Sequence, residues 1–138
     1  MINITKETSV SIDDVLHLYQ AVGWTNYTNQ PHMLEQSVAH SLAIYVARDG
    51  EEIVGLVRLV GDGFSSVFVQ DLIVLPSYQR QGIGSDLMKE ALGDFKDAYQ
   101  VQLATEQTEK TLGFYCSLGF ETLSTYDCTG MIWVDRKK

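Results

Sequence analysis

The stretch VFVQDLIVLPSYQRQGIG, residues 67–84, determines the interpretation of the whole chain. Its first nine residues are β-branched or apolar apart from one glutamine and one aspartate, which predicts a strand buried on both faces and central in its sheet. Pro76 ends this strand, and a short loop leads through Gly82 and Gly84 into a helix. A helix start offers unpaired backbone N–H groups and the positive end of the helix dipole. The stretch therefore predicts an anion site, where glycine lets a phosphate approach the main chain.

Two common phosphate loops do not fit these glycines. A Walker loop needs a lysine directly after its last glycine, and no lysine follows here. A dinucleotide fingerprint needs a third glycine at the position that Leu87 occupies. A plain glycine-containing loop that only starts a helix remains an alternative, because two glycines alone are a weak signal.

The spacing of apolar residues in the rest of the chain predicts one mixed α/β domain over residues 1–138. A domain of this length can bury a hydrophobic core without metal ions or disulfide bonds to stabilise it. A hairpin signal, Asp49-Gly50, separates the second and third of its strands. The predicted strands are 2–5, 43–48, 53–60, 67–75, 101–104, 120–123 and 131–134. The predicted helices are 12–22, 31–40, 83–95 and 111–118, and residues 24–30 are expected to form a loop.

The composition narrows the possible functions. The chain has 18 acidic and 10 basic residues, a formal net charge of -8, and one basic cluster, the tail 136–138, which we expect to be solvated. This balance argues against nucleic-acid binding and weakly favours cationic acceptors. The absence of an apolar leader or spanning stretch predicts a cytoplasmic protein with no membrane partner. The two cysteines and three histidines lack metal-ligand spacing, so no metal is expected.

Two blocks resemble the GCN5-related N-acetyltransferase (GNAT) family. Residues 79–84, QRQGIG, match its (Q/R)xxGx(G/A) signature, and residues 113–120, GFYCSLGF, are similar to its FYxxxGF segment. The front half, with LYQAVGW at 18–24 and VRLVGDG at 57–63, is similar to a small bacterial branch that resembles plant plastid amine acetyltransferases. The resemblance implies a twisted, mostly antiparallel α/β sheet of about seven strands with four helices, splayed between its two central strands.

The resemblance also implies acetyl-CoA as co-substrate. Main-chain N–H groups of the turn would hold the pyrophosphate, the central strand would pair with the pantetheine arm, and the thioester would lie beside strand 101–104. The implied cofactor-binding residues are Leu72, Ile73, Val74, Gln79, Arg80, Gln81, Gly82, Ile83, Gly84, Ser85 and Phe114. The C-terminal strands often mediate self-association in this family, so a homodimer is a candidate assembly.

Acetyl transfer to an amine requires loss of an amine proton, stabilisation of an oxyanion and protonation of a thiolate, without a covalent enzyme intermediate. Asp71 is the candidate base or amine-orienting carboxylate, because a charge in so apolar a strand is costly. A hydrogen bond from Asp71 to a loop is the alternative, and Asp62, Glu106 or a water molecule are rival bases. Tyr115 is the candidate acid, with ordinary packing as its alternative. The N–H of Ile73 is the expected oxyanion donor.

The acceptor pocket is expected where Trp24 and Tyr27, with Tyr45, could line it, although ordinary packing of these rings is an alternative. An N-acetyltransferase that acts on a small-molecule or protein amine is the leading hypothesis. A domain that holds acetyl-CoA as a sensor or regulatory subunit, without turnover, is the second hypothesis. An interaction protein without a cofactor is the third.

Overall fold

The computed structural model describes residues 1–135. The chain divides into two compact units, of which the first is Met1–Leu103 and the second begins at Ala104. The second unit is described as far as Asp135, so the basic tail that we expect to be solvated lies outside the described residues. Within the described part, no helix combines the length and apolar character that crossing a membrane requires.

One five-stranded sheet forms the framework of the first unit. Its strands lie in chain order from edge to edge: β1 Ile2–Lys6, β2 Ala43–Asp49, β3 Glu52–Gly61, β4 Ser66–Val74 and β5 Gln100–Leu103. All neighbours are antiparallel except β4 and β5, which are parallel. The predicted hairpin between β2 and β3 is confirmed, and Gly50 adopts the left-handed φ of 64° that such a turn requires. The helices of this unit are α1 Ile12–Ala21, α2 Thr25–Thr28, α3 Pro31–Ala39 and α4 Ile83–Asp94.

Helices cover both faces of β3. Gly55 lies against α4, where an added Cβ would stand only 3.2 Å from the Leu87 side chain. Arg58 points to the opposite face and donates from its guanidinium to the carbonyl of Ser37 in α3. Residues Ile53–Leu59 are all buried, whereas β4 alternates between buried and more exposed residues. The prediction that β4 is buried on both faces is therefore wrong, because β3 occupies that position.

As far as Asp135, the second unit contains one α-helix, α5 Glu109–Ser117. The side chain of Thr108 caps its start by accepting the N–H of Thr111 at 3.1 Å. A 3-10 turn, Leu123–Tyr126, follows the helix. Beyond it, the apolar side chains of residues 131–134 are exposed, Met131 by 95% and Trp133 by 79%.

The structure confirms the mixed α/β architecture but corrects the number of its elements. Residues 1–135 hold five strands and five α-helices instead of about seven and four. The predicted strand 120–123 is wrong because its end enters the 3-10 turn, and no strand forms at 131–134. An apolar run becomes a strand only where a neighbouring strand pairs with its backbone, which residue propensity alone does not determine. The extra helix, α2, lies in the predicted loop.

Candidate functional site

Strand β4 has a partner along its whole length on one side only. Its pairing with β5 extends from Ser66 opposite Gln100 to Val69 opposite Leu103, and then ends. Pairing with β3 continues as far as Val74. Within the part of the chain that the structure describes, the second half of β4 therefore presents an open edge at this divergence, where an extended ligand could pair with the backbone.

The main-chain N–H and C=O groups of successive β4 residues point alternately toward β3 and toward the open edge. The N–H of Leu75 donates to the carbonyl of Val54 at 2.8 Å, so every second residue before it also faces β3. Ile73 belongs to the set facing β3, which corrects the expectation that its N–H stabilises an oxyanion. The main-chain groups of Leu72 and Val74 face the open edge instead. In agreement, the carbonyl of Val74 accepts a hydrogen bond from the Gln79 side chain at 3.0 Å.

The turn after β4, residues 79–85, is an uncapped helix start. A 3-10 turn, Pro76–Tyr78, leads from β4 into it, and α4 begins at Ile83. Gly82 is the N-cap of α4, with φ of 82°, and no side chain accepts a hydrogen bond from the first turn. Arg80 also has a left-handed φ, of 65°, which is uncommon for a residue with a side chain.

The 79–85 turn has space for a ligand. A Cβ placed on Gly82 would meet no atom within 4 Å, and Gln79, Arg80 and Gln81 are exposed. The backbone N–H groups of residues 80–85 have no partner within the described chain, and together with the helix dipole and the Arg80 guanidinium they favour an anion such as a pyrophosphate. The residues present therefore fit the phosphates of a coenzyme, as the sequence predicts.

Asp71 lies at the centre of a buried polar cluster, the Asp71 network, made up of Tyr19, Tyr27, Arg58 and Asp71. Its Oδ2 accepts from Arg58 Nε at 2.9 Å and from the Tyr19 hydroxyl at 2.7 Å. Its Oδ1 accepts from the Tyr27 hydroxyl at 3.1 Å. Asp71 and Arg58 are each only 4% exposed, so this is a buried ion pair with its hydrogen bonds satisfied.

The electrostatics of the network favour the charged pair. Burial disfavours the charged guanidinium of Arg58, but the nearby Asp71 carboxylate outweighs burial and raises the pKa of Arg58. Burial and the same carboxylate raise the pKa of Tyr19, which keeps that hydroxyl a proton donor. The catalytic role of Asp71 stays a prediction, and these contacts favour a role in holding the surrounding side chains.

The rival carboxylates occupy different surroundings. Asp62 closes the turn before β4: its carboxylate accepts from the Ser65 hydroxyl and from the N–H groups of Phe64, Ser65 and Ser66. These bonds, with the Ser65 hydroxyl first, lower the pKa of Asp62. A carboxylate so engaged is a turn-forming residue and a weak base. Glu106 is exposed in the second unit, ahead of α5.

An aromatic cluster lies beside the Asp71 network. The rings of Trp24 and Tyr27 stack with centroids 6.3 Å apart, and Tyr19 packs edge-on against both. Trp24 and Tyr27 therefore lie together, and their role in lining an acceptor pocket stays a prediction. Tyr45 does not belong to it, because its hydroxyl donates to Asp94 of α4 at 2.6 Å, and α4 covers the other face of the sheet. The interpretation of Tyr45 as a pocket residue is therefore wrong.

Tyr115 lies in α5 of the second unit. Its ring packs edge-on against Phe114 at 5.0 Å and Phe120 at 5.9 Å. Burial raises its pKa, so the phenol keeps its proton at neutral pH. The side chain is half-buried, and it can both pack and donate a proton.

Sequence reasoning did not identify Arg58 and Tyr19 as parts of the site. A signal for Arg58 was present, because it is the one charge within the apolar run 53–60, as Asp71 is within 67–75. Two isolated opposite charges in neighbouring apolar strands indicate a buried pair, since neither is stable there alone. Tyr19 carried no comparable signal, because its ring fits the apolar face of α1.

Residues 40–122 match the acetyltransferase (GNAT) domain family. Among solved structures, a GNAT family acetyltransferase from Streptococcus pneumoniae is 74% identical over 99% of each chain, with a TM-score of 0.91. A GNAT family acetyltransferase from Elizabethkingia anophelis, solved with acetyl-CoA bound, is 21% identical and has a TM-score of 0.64. The alignment covers 87% of this chain and 76% of that one, and the likeness shows a shared fold.

A plant protein is also similar in sequence. The chloroplastic serotonin N-acetyltransferase 2 of Oryza sativa is 25% identical over 117 residues, which are 82% of this chain. The chain spans 58% of the length of that relative.

Proposed function

Because the chain belongs to the GNAT acetyltransferase family, as the blocks 79–84 and 113–120 predict, we propose that it transfers the acetyl group of acetyl-CoA to a primary amine. One observation carries the proposal: the open edge of β4 leads through a single short turn into the uncapped start of α4. The chain thus offers backbone partners first to an extended arm and then to an anion.

Acetyl-CoA supplies an acetyl thioester, which the amine attacks directly. Residues of this chain fit its other parts, and the Elizabethkingia anophelis structure, which holds acetyl-CoA on the same fold, supports this co-substrate. The main-chain groups of Leu72 and the N–H of Val74 are open and suit the pantetheine arm, whereas the main-chain groups of Ile73 face β3. The N–H groups of residues 80–85, which have no partner within the described chain, suit the pyrophosphate, with Arg80 adding positive charge, whereas the N–H of Gln79 donates to the carbonyl of Pro76. The role of Phe114 stays a prediction.

We assign the amine to the side of β4 on which Trp24 and Tyr27 lie. Flat stacked rings favour an aromatic or cationic partner, because they offer large apolar faces with a negative quadrupole. The rice relative is named for serotonin, an arylalkylamine, which makes this class the first to test. The shared segment is only part of that relative, so the choice of acceptor is our proposal for this chain.

The chemical step can be balanced with residues of this chain. The amine nitrogen attacks the thioester carbonyl carbon, a C–N bond forms, and the C–S bond breaks with its electron pair on sulfur. Tyr115, whose phenol carries its proton at neutral pH, is our candidate donor to the thiolate. The N–H of Leu72 or Val74 is our candidate oxyanion donor. Solvent accepts the surplus amine proton and returns one to Tyr115.

One observation favours a second candidate function. The carboxylate of Asp71 is buried and already accepts hydrogen bonds from Arg58, Tyr19 and Tyr27, which makes it a poor base for a bound amine. A domain that holds acetyl-CoA as a sensor or regulatory subunit would need no base. The cytoplasmic location and the homodimer both remain predictions.

A thiol-release assay separates the two candidates. The purified chain is mixed with acetyl-CoA and, in turn, with serotonin, spermidine and a lysine-containing peptide, and free CoA is measured. We expect amine-dependent release, and a lower kcat for Tyr115→Phe with unchanged acetyl-CoA binding. Acetyl-CoA binding without release for any amine would reject the transferase and support the sensor.

A further inference from the structure

Gln70 is a polar residue at the divergence of β4 and β5 that the reaction described above does not use. On β3, Arg58 lies opposite Asp71 and the next residue, Leu59, lies opposite Val69. Gln70 is thus the extra residue of a β-bulge and has no partner on β3. It also follows directly on the last β4 residue that pairs with β5. Bulges redirect side chains and are frequent beside active sites.

Because of the bulge, the side chains of the neighbouring residues Gln70 and Asp71 both contact the hydroxyl of Tyr27. In a regular strand, successive side chains point to opposite faces. Here Gln70 Nε2 donates to the Tyr27 hydroxyl at 3.4 Å, and the same hydroxyl donates to Asp71 Oδ1 at 3.1 Å. Gln70 is exposed while Asp71 is buried, so the network connects the core to the surface at this point.

The network also determines which way the Gln70 amide points. A phenol has a single proton, and Tyr27 gives its proton to Asp71. Arg58 Nη2 lies 3.4 Å from the same oxygen as a further donor. The Tyr27 oxygen can therefore only accept from Gln70, which requires the amide nitrogen, not the amide oxygen, to face it. The Gln70 Oε1 is left free at the exposed end of the side chain.

We propose that Gln70 Oε1 accepts an N–H of the incoming amine and so orients its lone pair toward the thioester. The inference rests on the proposed function and adds a substrate-binding residue to it. Tyr27, Arg58 and Asp71 are then positioning residues, because they hold the amide in this orientation. The carboxamide carries no charge, and the nearest carboxylate is neutralised by Arg58. The site therefore suits an uncharged amine on an aromatic body better than a polycation.

Two substitutions at one position test the acceptor oxygen. Gln70→Met keeps the length of the side chain and removes the acceptor, whereas Gln70→Glu keeps an acceptor oxygen. Gln100→Met is the matched control, because Gln100 is an exposed glutamine on the neighbouring strand β5. The amine is whichever of serotonin, spermidine and the lysine peptide the wild type acetylates fastest. The KM for that amine, the KM for acetyl-CoA and the melting temperature are measured for each variant.

We expect Gln70→Met to raise the KM for the amine about tenfold, with the KM for acetyl-CoA and the melting temperature unchanged. Gln100→Met should keep an amine KM close to that of the wild type. Gln70→Glu keeps an acceptor oxygen but loses the N–H that Tyr27 accepts, so its amine KM should lie between those of the wild type and Gln70→Met. An unchanged amine KM in Gln70→Met, an equal rise for acetyl-CoA, or equal damage from Gln70→Glu would overturn the assignment while leaving the proposed function intact. If the wild type binds acetyl-CoA and acetylates none of the three amines, the proposed function fails, and the Gln70 assignment fails with it.

Discussion

Asp71 and the 79–85 turn are close in sequence, yet their hydrogen-bonding groups find partners within the protein to very different degrees. In the network, both oxygens of a buried carboxylate accept hydrogen bonds, and its charge is paired with Arg58. In the turn, the start of α4 has no side-chain cap, and three of its polar side chains are exposed. A satisfied buried cluster contributes to the folded state, whereas unsatisfied exposed donors are available to a ligand. Substitutions should therefore affect folding in the first region and ligand binding in the second.

The largest expected effect is in the network. Asp71→Asn keeps the size of the side chain and leaves the buried guanidinium of Arg58 without its counter-charge. We expect the free energy of unfolding to fall by about 3–5 kcal/mol, because an unpaired buried charge is costly. Urea denaturation monitored by circular dichroism measures this loss.

The double variant Arg58→Met/Asp71→Asn is the matched control, because it removes both charges together. It should be more stable than Asp71→Asn alone. An Asp71→Asn variant that keeps its stability but loses kcat would contradict the comparison and restore Asp71 as the base.

The second effect is on ligand affinity. Gly82→Asp places a carboxylate in the open space before α4, where the pyrophosphate is proposed to bind. Gly82→Asn places an amide of the same shape there, so the pair isolates the charge. We expect acetyl-CoA to bind about 10–100-fold more weakly to Gly82→Asp than to Gly82→Asn, measured by calorimetry, because like charges repel. Equal affinities in the two variants would remove the pyrophosphate from this turn.

The smallest expected effect is at Asp62, an exposed carboxylate, and comparison with the buried Asp71 shows how much burial adds to the loss of stability. Asp62 is as well hydrogen-bonded as Asp71 but lies in an exposed turn. Its pKa is lowered in the folded state, so its contribution to stability is present above its unfolded pKa and is lost as the pH falls through the folded value. Asp62→Asn should melt slightly below the wild type at neutral pH, and the difference in melting temperature should begin to shrink as the pH falls below about 4, the usual pKa of an unfolded aspartate. A melting difference that does not change with pH would contradict this titration.

The sequence contained most of what the framework of the site requires. The proline after β4, the two glycines and the apolar face of α4 together predicted the strand, the turn and the helix that follows it. These features are local, and turn chemistry and helical periodicity are encoded within a few residues.

What the sequence did not show depends on distant partners. Asp71 is conspicuous in its strand, but the pairing with Arg58 and Tyr19 follows from the strand register and from the placement of α1. The bulge at Gln70 and the pairing limit at Val69 are likewise properties of the sheet. The apolar run 131–134 has the composition of a strand without its pairing, because a strand needs a partner that no local pattern specifies.

Thermal unfolding of the purified chain with and without acetyl-CoA tests the central claim most directly, with ATP and NADH as controls. At about 100 times its dissociation constant, a ligand that binds only the folded state adds about 2.7 kcal/mol of stability. We therefore expect acetyl-CoA, and neither control, to raise the melting temperature by several degrees. No shift with millimolar acetyl-CoA, or an equal shift with ATP and NADH, would contradict a site built for acetyl-CoA on β4 and the 79–85 turn.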